Sequence, residues 1–486
     1  MGIDRQTVVI GGGITGLACA YRLQQLGVSV ALLEASERAG GLIAATRRNG
    51  FLFDAGPQCP RFPRALWELV LELGLEKDFV SADPRAKRFV LKHGELHPAP
   101  LSPWGLIKTR LVGIGCKVRF IVEPFGNWRP PETEESLADF IRRKFGDEAL
   151  DYLVEPFAAS VFFAGPEEMG MESTLPAIAR WERESGSVFR GGIKARKTNG
   201  KPAAPAERSA TGNQPAPRVP VTDFLPPLGS FKSGFAALTD RLAEGLGDLV
   251  RLRARVESVC QLAAGSGARW RIRLRDGEEM SAETIVLAAP AYDAARMVQT
   301  VSPQLSSLLG AISYSPLAVV SSGYDRAQVR HSLDGFGFNV PRREGLHTIS
   351  CTWNSSLFPG RAPAGKVLLT SFARPLDNDG FLDRAPEEIA RIVEGEAANV
   401  LGISGAPVDR MVWKHSHALP QYRVGHVQRV AAIREALRGL TGLHLVGNYF
   451  GGRSVGDSVD IAFGAAEAIS AGLSARAAKA EVVGQN

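Results

Sequence analysis

The sequence predicts an α/β protein (α+β overall) built on a Rossmann-like, doubly wound domain. The first observation is a glycine-rich turn, G-x-G-x-x-G, which joins an apolar run over 7–10 to a helical pattern ending at Gly27. The second is another apolar run over 28–33 that ends on Glu34. The glycine pattern indicates a Rossmann-like unit because it lies in the order strand, turn, helix, strand and acid. The third is the length of 486 residues, which predicts two or three domains.

The glycine-rich turn supplies the first predicted cofactor contacts. Gly11 permits the tight turn, Gly13 lets a pyrophosphate approach the backbone, and Gly16 lets the helix pack closely on the strand. The unpaired N–H groups at the start of the helix favour a diphosphate. Glu34 suits a ribose hydroxyl and disfavours a 2′-phosphate. The residues expected to hold the dinucleotide here are Gly11, Gly12, Gly13, Ile14, Thr15, Gly16 and Glu34.

The turn alone does not distinguish FAD from NAD, and the segment that follows it does. Arg38 and the glycine pair at 40–41 place a charge and bare backbone beside the same pyrophosphate. This segment resembles the second motif of the amine-oxidase superfamily of flavoproteins, which implies FAD as the cofactor. In that superfamily a strand followed by Gly-Pro delivers backbone to the isoalloxazine edge. The further cofactor residues implied are Arg38, Gly41, Leu42, Gly56, Pro57 and Gln58.

Composition agrees with a large globular enzyme. The net charge of +6 is mild and gives no argument for nucleic acid. The five cysteines are scattered without metal-ligand spacing, so we expect free thiols, a reducing compartment and no metal. The N-terminus opens on a strand rather than a charged and apolar leader, and no run is long enough to span a bilayer. We therefore expect a cytoplasmic protein that is not secreted.

Four spaced segments resemble the protoporphyrinogen oxidase family. They are V-E-P-F-A-A-S-V-F-F-A-G within 153–165, G-F-G-F-N-V-P at 335–341, L-P-Q-Y-R-V-G-H at 419–426 and L-V-G-N-Y-F-G-G-R-S-V-G-D at 445–457. They occur in the family's order over nearly the whole chain. The resemblance implies an FAD-dependent oxidation of protoporphyrinogen IX to protoporphyrin IX in haem biosynthesis. It implies three two-electron steps with hydride passing to flavin N5, and reoxidation by molecular oxygen with release of hydrogen peroxide.

The same resemblance assigns site residues. Arg88 matches an arginine directed at a substrate propionate, which a guanidinium binds well. Separately from the resemblance, residues 250–259 form an extended run in which Val256 is expected to present backbone to an adenine. No side-chain base is assigned. The tetrapyrrole slot is implied at Phe336, Asn339, Thr352 and Thr370, and the flavin contacts at Asn448, Ser454, Val455 and Gly456.

Three departures from the family bear on specificity. Asn339, Thr352 and Thr370 would make the slot more polar than is usual in the family. Burying polar groups without partners costs about 1–3 kcal/mol each, so the slot is expected to hold water or a more carboxylated substrate such as coproporphyrinogen III. Other readings stay open: another flavin amine oxidase or desaturase, or a non-catalytic protein that binds FAD and porphyrin.

The predicted domains are discontinuous. The FAD-binding domain takes 1–83, 231–295 and 428–475, and a mixed-sheet substrate-binding domain takes 84–96 and 296–427. An α-helical insertion takes 97–229, with a flexible loop at 190–227 that is rich in Pro, Gly, Ala, Lys and Arg. Residues 476–486 form a tail.

One stretch of the insertion bears on partners. Residues 100–125 mix basic side chains with large apolar ones. Such a stretch either lies on a membrane surface without spanning it or forms a helix pair packed on the protein. The expected partners are the porphyrinogen, molecular oxygen, peripheral membrane contact at the inner face of the cell membrane, a chelatase that receives the product, and a second copy in a homodimer.

Overall fold

A computed structural model of the chain describes residues 5–126, 128, 130–199, 227–263, 269–377, 379–452 and 454–483. The strands within these ranges are β1 (Arg5–Ile10), β2 (Val30–Leu33), β3 (Ala45–Arg48), β4 (Phe51–Asp54), β5 (Phe79–Ser81), β6 (Arg88–Lys92), β7 (Glu95–Pro98), β8 (Gly229–Phe231), β9 (Val250–Arg251), β10 (Val256–Gln261), β11 (Trp270–Leu274), β12 (Glu279–Leu287), β13 (Tyr314–Asp325), β14 (Gly337–Asn339), β15 (Thr348–Thr352), β16 (Lys366–Ala373), β17 (Asp409–Pro420) and β18 (Leu443–Leu445).

Helices connect and cover these strands. They are α1 (Ile14–Gln25), α2 (Arg64–Glu72), α3 (Pro103–Lys108), α4 (Ile114–Val122), α5 (Leu137–Phe145), α6 (Asp147–Ala149), α7 (Glu155–Phe162), α8 (Met171–Thr174), α9 (Pro176–Ser185), α10 (Val188–Asn199), α11 (Ala237–Leu246), α12 (Ala291–Met297), α13 (Pro303–Gly310), α14 (Asn354–Leu357), α15 (Pro386–Leu401), α16 (His426–Leu437) and α17 (Val455–Val483).

The first seven-stranded sheet is the predicted Rossmann-like sheet. Its strands β9, β2, β1, β12 and β18 run parallel, and β10 and β11 extend it as an antiparallel pair. Strands β1, β2 and the end of β12 are buried on both faces, which is why they read as continuous apolar runs. Helices α1, α2, α11 and α17 cover one face, so the predicted α/β fold class is confirmed.

The second seven-stranded sheet has the order β17, β13, β16, β15, β14, β6, β7. Its pairings are antiparallel except for β14 with β6, which makes it the mixed sheet expected from the sequence. It therefore joins the hairpin at 88–98 to strands more than two hundred residues later. The boundaries of the three predicted domains stay a proposal.

Residues 190–199, predicted as part of a flexible loop, are helical, so this part of the prediction is wrong. Helix α10 begins at Val188, where the first N–H groups of a helix lack intrahelical partners. The carboxylate of Glu123 accepts hydrogen bonds from the N–H groups of Val188 at 2.7 Å and Phe189 at 3.3 Å. A carboxylate that is distant in sequence therefore caps the N-terminus of this helix. The remainder of the predicted loop, 200–226, lies outside the described residues.

The glycines that suggested a loop serve helix packing instead. A Cβ on Gly191 would lie 2.3 Å from the Cβ of Trp181 in α9. Only glycine permits this approach between α9 and α10.

The C-terminal helix extends past the predicted domain end at 475. Arg476, the first residue of the predicted tail, pairs with Glu283 of β12 at 3.0 Å, and α17 continues to Val483.

Candidate functional site

The glycine-rich turn has the geometry of a pyrophosphate cradle. Gly11 has φ +111°, and a Cβ on Gly16 would lie 1.8 Å from the carbonyl oxygen of Gly11. Gly40 donates its N–H to the carbonyl of Gly12 at 2.7 Å, which brings the two glycine segments together. A Cβ on Gly13 would meet no atom within 4 Å, so the backbone there faces open space. A diphosphate fits this opening at the start of α1.

Glu34 is held in place by two backbone N–H groups. Its carboxylate accepts hydrogen bonds from the N–H of Gly12 at 2.6 Å and of Ser36 at 2.7 Å. Each carboxylate oxygen keeps a further lone pair for a hydroxyl. Arg38 instead donates to carbonyls of its own loop, at 3.0 Å to Ile43 and 2.6 Å to Gly41. These hydrogen bonds of Arg38 therefore stabilise the loop that contains the glycine pair.

The second predicted flavin segment lies against the first. A Cβ on Gly56 would be 2.6 Å from the carbonyl oxygen of Leu42, whose side chain is exposed. Gln58 is buried and donates to the carbonyls of Asp54 and Gly56 at 2.8 Å. We call Gly56, Pro57 and Gln58 the flavin loop. Close packing on Leu42 and the hydrogen bonds of Gln58 hold the backbone of this loop in place. A segment that presents its backbone to a ring needs such support.

Strand β4, which leads into the flavin loop, is anchored by a buried ion pair. Arg361 lies 2.8 Å from Asp54, and both side chains are almost completely buried. Asp54 also accepts the N–H of Phe235 at 2.9 Å, and Arg361 donates to Ser230 at 2.6 Å. Burial raises the pKa of Asp54 while the Arg361 charge opposes the rise. The pair therefore connects the strand before the flavin loop to Phe235, in the core that covers the first sheet, and to Arg361, which follows α14.

The loop before α17 is held by two residues of the Q-Y-x-x-G-H segment. The hydroxyl of Tyr422 donates to the carbonyl of Asn448 and accepts the N–H of Gly451 at 3.2 Å. His426 Nε2 donates to the carbonyl of Tyr449 at 2.9 Å. The Tyr422 and His426 rings stack at 4.3 Å. These two side chains position the loop that carries the predicted flavin contacts.

The remaining predicted cofactor residues have distinct surroundings. Ser454 and Asp457 cap α17 reciprocally at 3.0 and 3.1 Å. Val455 is buried in the core beneath the first sheet, and a Cβ on Gly456 would lie 2.2 Å from Pro63. Val256 is buried in β10 at the edge of the same sheet.

The predicted slot residues share one face of the second sheet. The register aligns Arg88, Gly337, Thr352 and Thr370 across β6, β14, β15 and β16, and continues to Ser321 of β13. Asn339 is two residues beyond Gly337 and so belongs to the same face. We call this set the polar row. The Arg88 guanidinium lies 4.7 Å from the centre of the Phe336 ring, which places Phe336 at the same end.

Strand β4 and the residue that follows helix α7 bound this face. Phe51 and Phe53 of β4 pack on Leu368, two residues before Thr370 on the same side of β16. At the other end Phe163, which follows α7, stacks on Phe372 at 5.4 Å. The polar row therefore lies between the strand that leads into the flavin loop and the helical insertion.

The hydroxyls of this row are partly satisfied within the sheet. Thr370 and Ser321 share a hydrogen bond of 2.7 Å and are fully buried. Thr370 therefore does not incur the cost of an unpartnered polar group that its sequence context suggested. Sequence reasoning missed Ser321, since it lies 49 residues from Thr370 and only strand register brings them together.

Comparison with known proteins decides the family. Residues 14–470 match the model of the flavin containing amine oxidoreductases. The chain belongs to this family. It is accordingly an FAD-dependent oxidoreductase, and the glycine cradle and Glu34 are the residues that fit the cofactor.

Two curated relatives are similar to the chain over most of its length. It is 31% identical over 477 residues to protoporphyrinogen oxidase 1, chloroplastic, of Arabidopsis thaliana, covering 95% of this chain and 87% of that one. It is 27% identical to coproporphyrinogen III oxidase of Bacillus subtilis, covering 94% and 96%. The resemblance to protoporphyrinogen oxidases is thus confirmed.

Solved structures agree with the fold. A crystal structure from Exiguobacterium, provisionally assigned as a protoporphyrinogen oxidase, has a TM-score of 0.77 and 25% identity over 96% of this chain and 99% of that one. Cyclohexylamine oxidase from Brevibacterium oxydans has a TM-score of 0.65 and 17% identity over 97% and 100%.

Proposed function

We propose that the protein oxidises protoporphyrinogen IX to protoporphyrin IX with molecular oxygen. Six electrons and six protons leave the substrate, so three oxygen molecules become three molecules of hydrogen peroxide. When bound, FAD supplies the two-electron acceptor that takes hydride at N5 and passes electrons to oxygen. The observation that carries the proposal is the 31% identity to a protoporphyrinogen oxidase over 95% of the chain.

Arg88 is the proposed anchor for a substrate carboxylate. It is half-buried, and it forms no ion pair with any residue in the described ranges. Burial lowers its pKa, and the nearby Arg61 charge lowers it further. A half-buried cation of this kind gains a counterion when a propionate binds, and its planar donors suit a carboxylate.

Positioning is the protein's main contribution to the proposed reaction. The gain of aromaticity supplies driving force, so holding the macrocycle flat beside the flavin loop is the main demand on side chains. Arg88 and Asn339 are the half-buried members of the polar row, with the half-buried Phe336 beside Arg88, whereas Thr370 and Ser321 are fully buried. The Arg88 end of the row therefore suits a flat ring with a carboxylate at its edge. We assign no side chain as a base.

Coproporphyrinogen III is the second candidate substrate. The polar row and the identity to a coproporphyrinogen III oxidase favour it. The test is steady-state turnover of both porphyrinogens, followed by porphyrin fluorescence, with Thr352→Val as a variant. A higher kcat/KM for protoporphyrinogen IX supports the main proposal, and a reversed preference that Thr352→Val reduces supports the second. Turnover of amines alone would overturn both.

We also propose that the insertion contacts an anionic membrane surface. Ile114, Val118, Ile121 and Phe125 recur at helical spacing along one side of α4 and the turn after it, and all are exposed. On the opposite side Cys116 is buried in the core of the insertion. Their basic neighbours, exposed on the same stretch, are Lys108, Arg110 and Arg119.

The surface supports attachment to one leaflet. No helix in the described ranges is long and apolar enough to cross a bilayer. An apolar helix side with flanking cations inserts shallowly among anionic headgroups. We therefore propose peripheral location on the cytoplasmic face of the cell membrane. Hand-over to a chelatase and a homodimer stay predictions.

A further inference from the structure

A buried amide pair joins the flavin loop to the second sheet. Gln58 belongs to the flavin loop, and Asn354 follows Thr352 of the polar row by two residues. Their side chains are 6% and 2% exposed. Asn354 Nδ2 donates to Gln58 Oε1 at 2.6 Å. The pair therefore lies where the two predicted ligand-binding segments meet.

The loop fixes the orientation of the Gln58 amide. Its Nε2 donates to the carbonyl oxygens of Asp54 and Gly56, both at 2.8 Å. Carbonyl oxygens only accept hydrogen bonds, so Gln58 has to present nitrogen to them and Oε1 to Asn354. Asn354 then has to present Nδ2 to Gln58. Its Oδ1 is left as an acceptor directed away from the pair.

Asn354 Oδ1 is buried and has no hydrogen-bond partner among the residues that the structure describes. An unsatisfied buried acceptor costs about 1–3 kcal/mol. The N–H of the preceding Trp353 donates to the carbonyl of Phe336 at 3.0 Å, which places Asn354 beside the Phe336 and Arg88 end of the polar row. A donor brought by a ligand at this position would satisfy the acceptor.

We propose that Asn354, oriented by Gln58, accepts a hydrogen bond from a ring N–H of the ligand bound between the flavin loop and the polar row. Two ring systems carry such a donor: the pyrroles of the porphyrinogen and the isoalloxazine, through N3–H. The pyrrole source rests on the proposed function. In either case Asn354 contacts the N–H of a ring and makes no contact with a carboxylate substituent.

The test compares wild type with holoprotein carrying Asn354→Leu, which keeps the branched shape of the side chain and removes both the Oδ1 acceptor and the Nδ2 donor to Gln58. The control is Ser355→Ala, which removes a neighbouring hydrogen bond of 3.0 Å to the N–H of Leu368. Measurements are the Kd of apoprotein for FAD, the flavin absorbance spectrum, the Kd of holoprotein for protoporphyrin IX by fluorescence quenching, and kcat/KM for both porphyrinogens. Unfolding midpoints are recorded for each variant.

For a pyrrole donor, Asn354→Leu weakens porphyrin binding and lowers kcat/KM about tenfold, and by the same factor for both porphyrinogens, while FAD binding is unchanged. For the flavin donor, the Kd for FAD rises about tenfold, the spectrum shifts, and kcat/KM at saturating FAD is unchanged. Ser355→Ala changes none of these ratios.

Changes below twofold in every binding constant for Asn354→Leu would overturn the inference, since neither ligand then donates to the Asn354 acceptor. The proposed function fails differently. In that case wild type itself neither binds porphyrin nor oxidises a porphyrinogen. The Kd for FAD and the flavin spectrum of Asn354→Leu then decide whether the acceptor binds the flavin N3–H.

Discussion

The guanidinium of Arg88 lies over the ring of Phe336, 4.7 Å from its centre, at the end of a row of residues that crosses five strands. Strands β6 and β14 that carry them pair in parallel, although they are separated by about 240 residues of sequence. The aromatic face holds the cation in place without neutralising it. The charge therefore remains available to a ligand.

Replacing Arg88 by alanine is expected to raise KM about 10–100-fold and to change kcat less, because the arginine binds ground and transition states alike. The measurement is steady-state kinetics with both porphyrinogens. Lys87→Ala is the matched control, since Lys87 is exposed and pairs with Asp334 at 2.8 Å. An unchanged KM for both substrates would retire the assignment.

Replacing Glu34 by glutamine is expected to weaken FAD binding about tenfold or more. Glutamine offers one acceptor where Gly12 and Ser36 each require one, and it removes the charge that favours ribose hydroxyls. The measurement is FAD titration of apoprotein. Glu37→Gln, in an exposed pair with Arg253, should bind FAD like wild type. Equal affinities for the two variants would contradict this role.

Glu123 predicts a pH-dependent stability of the helical insertion. Burial alone would raise its pKa, but hydrogen bonds from Ser187, the Val188 N–H and Lys144 hold the pKa below its ordinary value. A depressed folded pKa contributes stability at neutral pH that is lost as the pH falls through the folded value.

Glu123→Gln should therefore lower the free energy of unfolding by about 1–3 kcal/mol at pH 7, because the completely buried Lys144 loses one of its two carboxylate partners and keeps Glu182 at 2.8 Å. The difference from wild type should shrink as the pH falls below about 4.3. Denaturant unfolding across pH measures it. Glu68→Gln, on an exposed pair with Arg64, should change stability by less than about 0.5 kcal/mol. A pH-independent difference would contradict the account.

The exposed side of α4 is expected to bind vesicles of phosphatidylglycerol and not of phosphatidylcholine. Serine at both Ile121 and Phe125 should weaken binding at least tenfold, because each side chain loses about 1.5–3 kcal/mol of burial. Flotation at low and high salt measures it. The control replaces Val408 and Val427, which are also exposed, by serine. Equal flotation of both double variants would remove the membrane proposal.

The dinucleotide half was predictable because its signals are local. Gly11, Gly16 and Glu34 belong to one strand–turn–helix–strand unit, and each performs a task set by its immediate neighbours. Helix α10 was missed for the opposite reason. Its glycines and basic residues are typical of a loop, and the carboxylate that starts it is Glu123, more than sixty residues earlier.

The substrate half was predictable only in part. Motif resemblance indicated Asn339, Thr352 and Thr370, and the structure brings them to one face of the sheet, while their contact with a substrate stays a prediction. It gave no signal for Ser321 or Asn354, since the partner of each is fixed by sheet register and loop geometry rather than by nearby sequence.

The most direct test is an anaerobic titration of purified, FAD-loaded protein with protoporphyrinogen IX. The proposal predicts that the yellow flavin absorbance bleaches as porphyrin fluorescence appears, and that oxygen restores the yellow colour with formation of hydrogen peroxide. A protein that takes up no FAD, or a flavin that neither protoporphyrinogen IX nor coproporphyrinogen III bleaches, would contradict it.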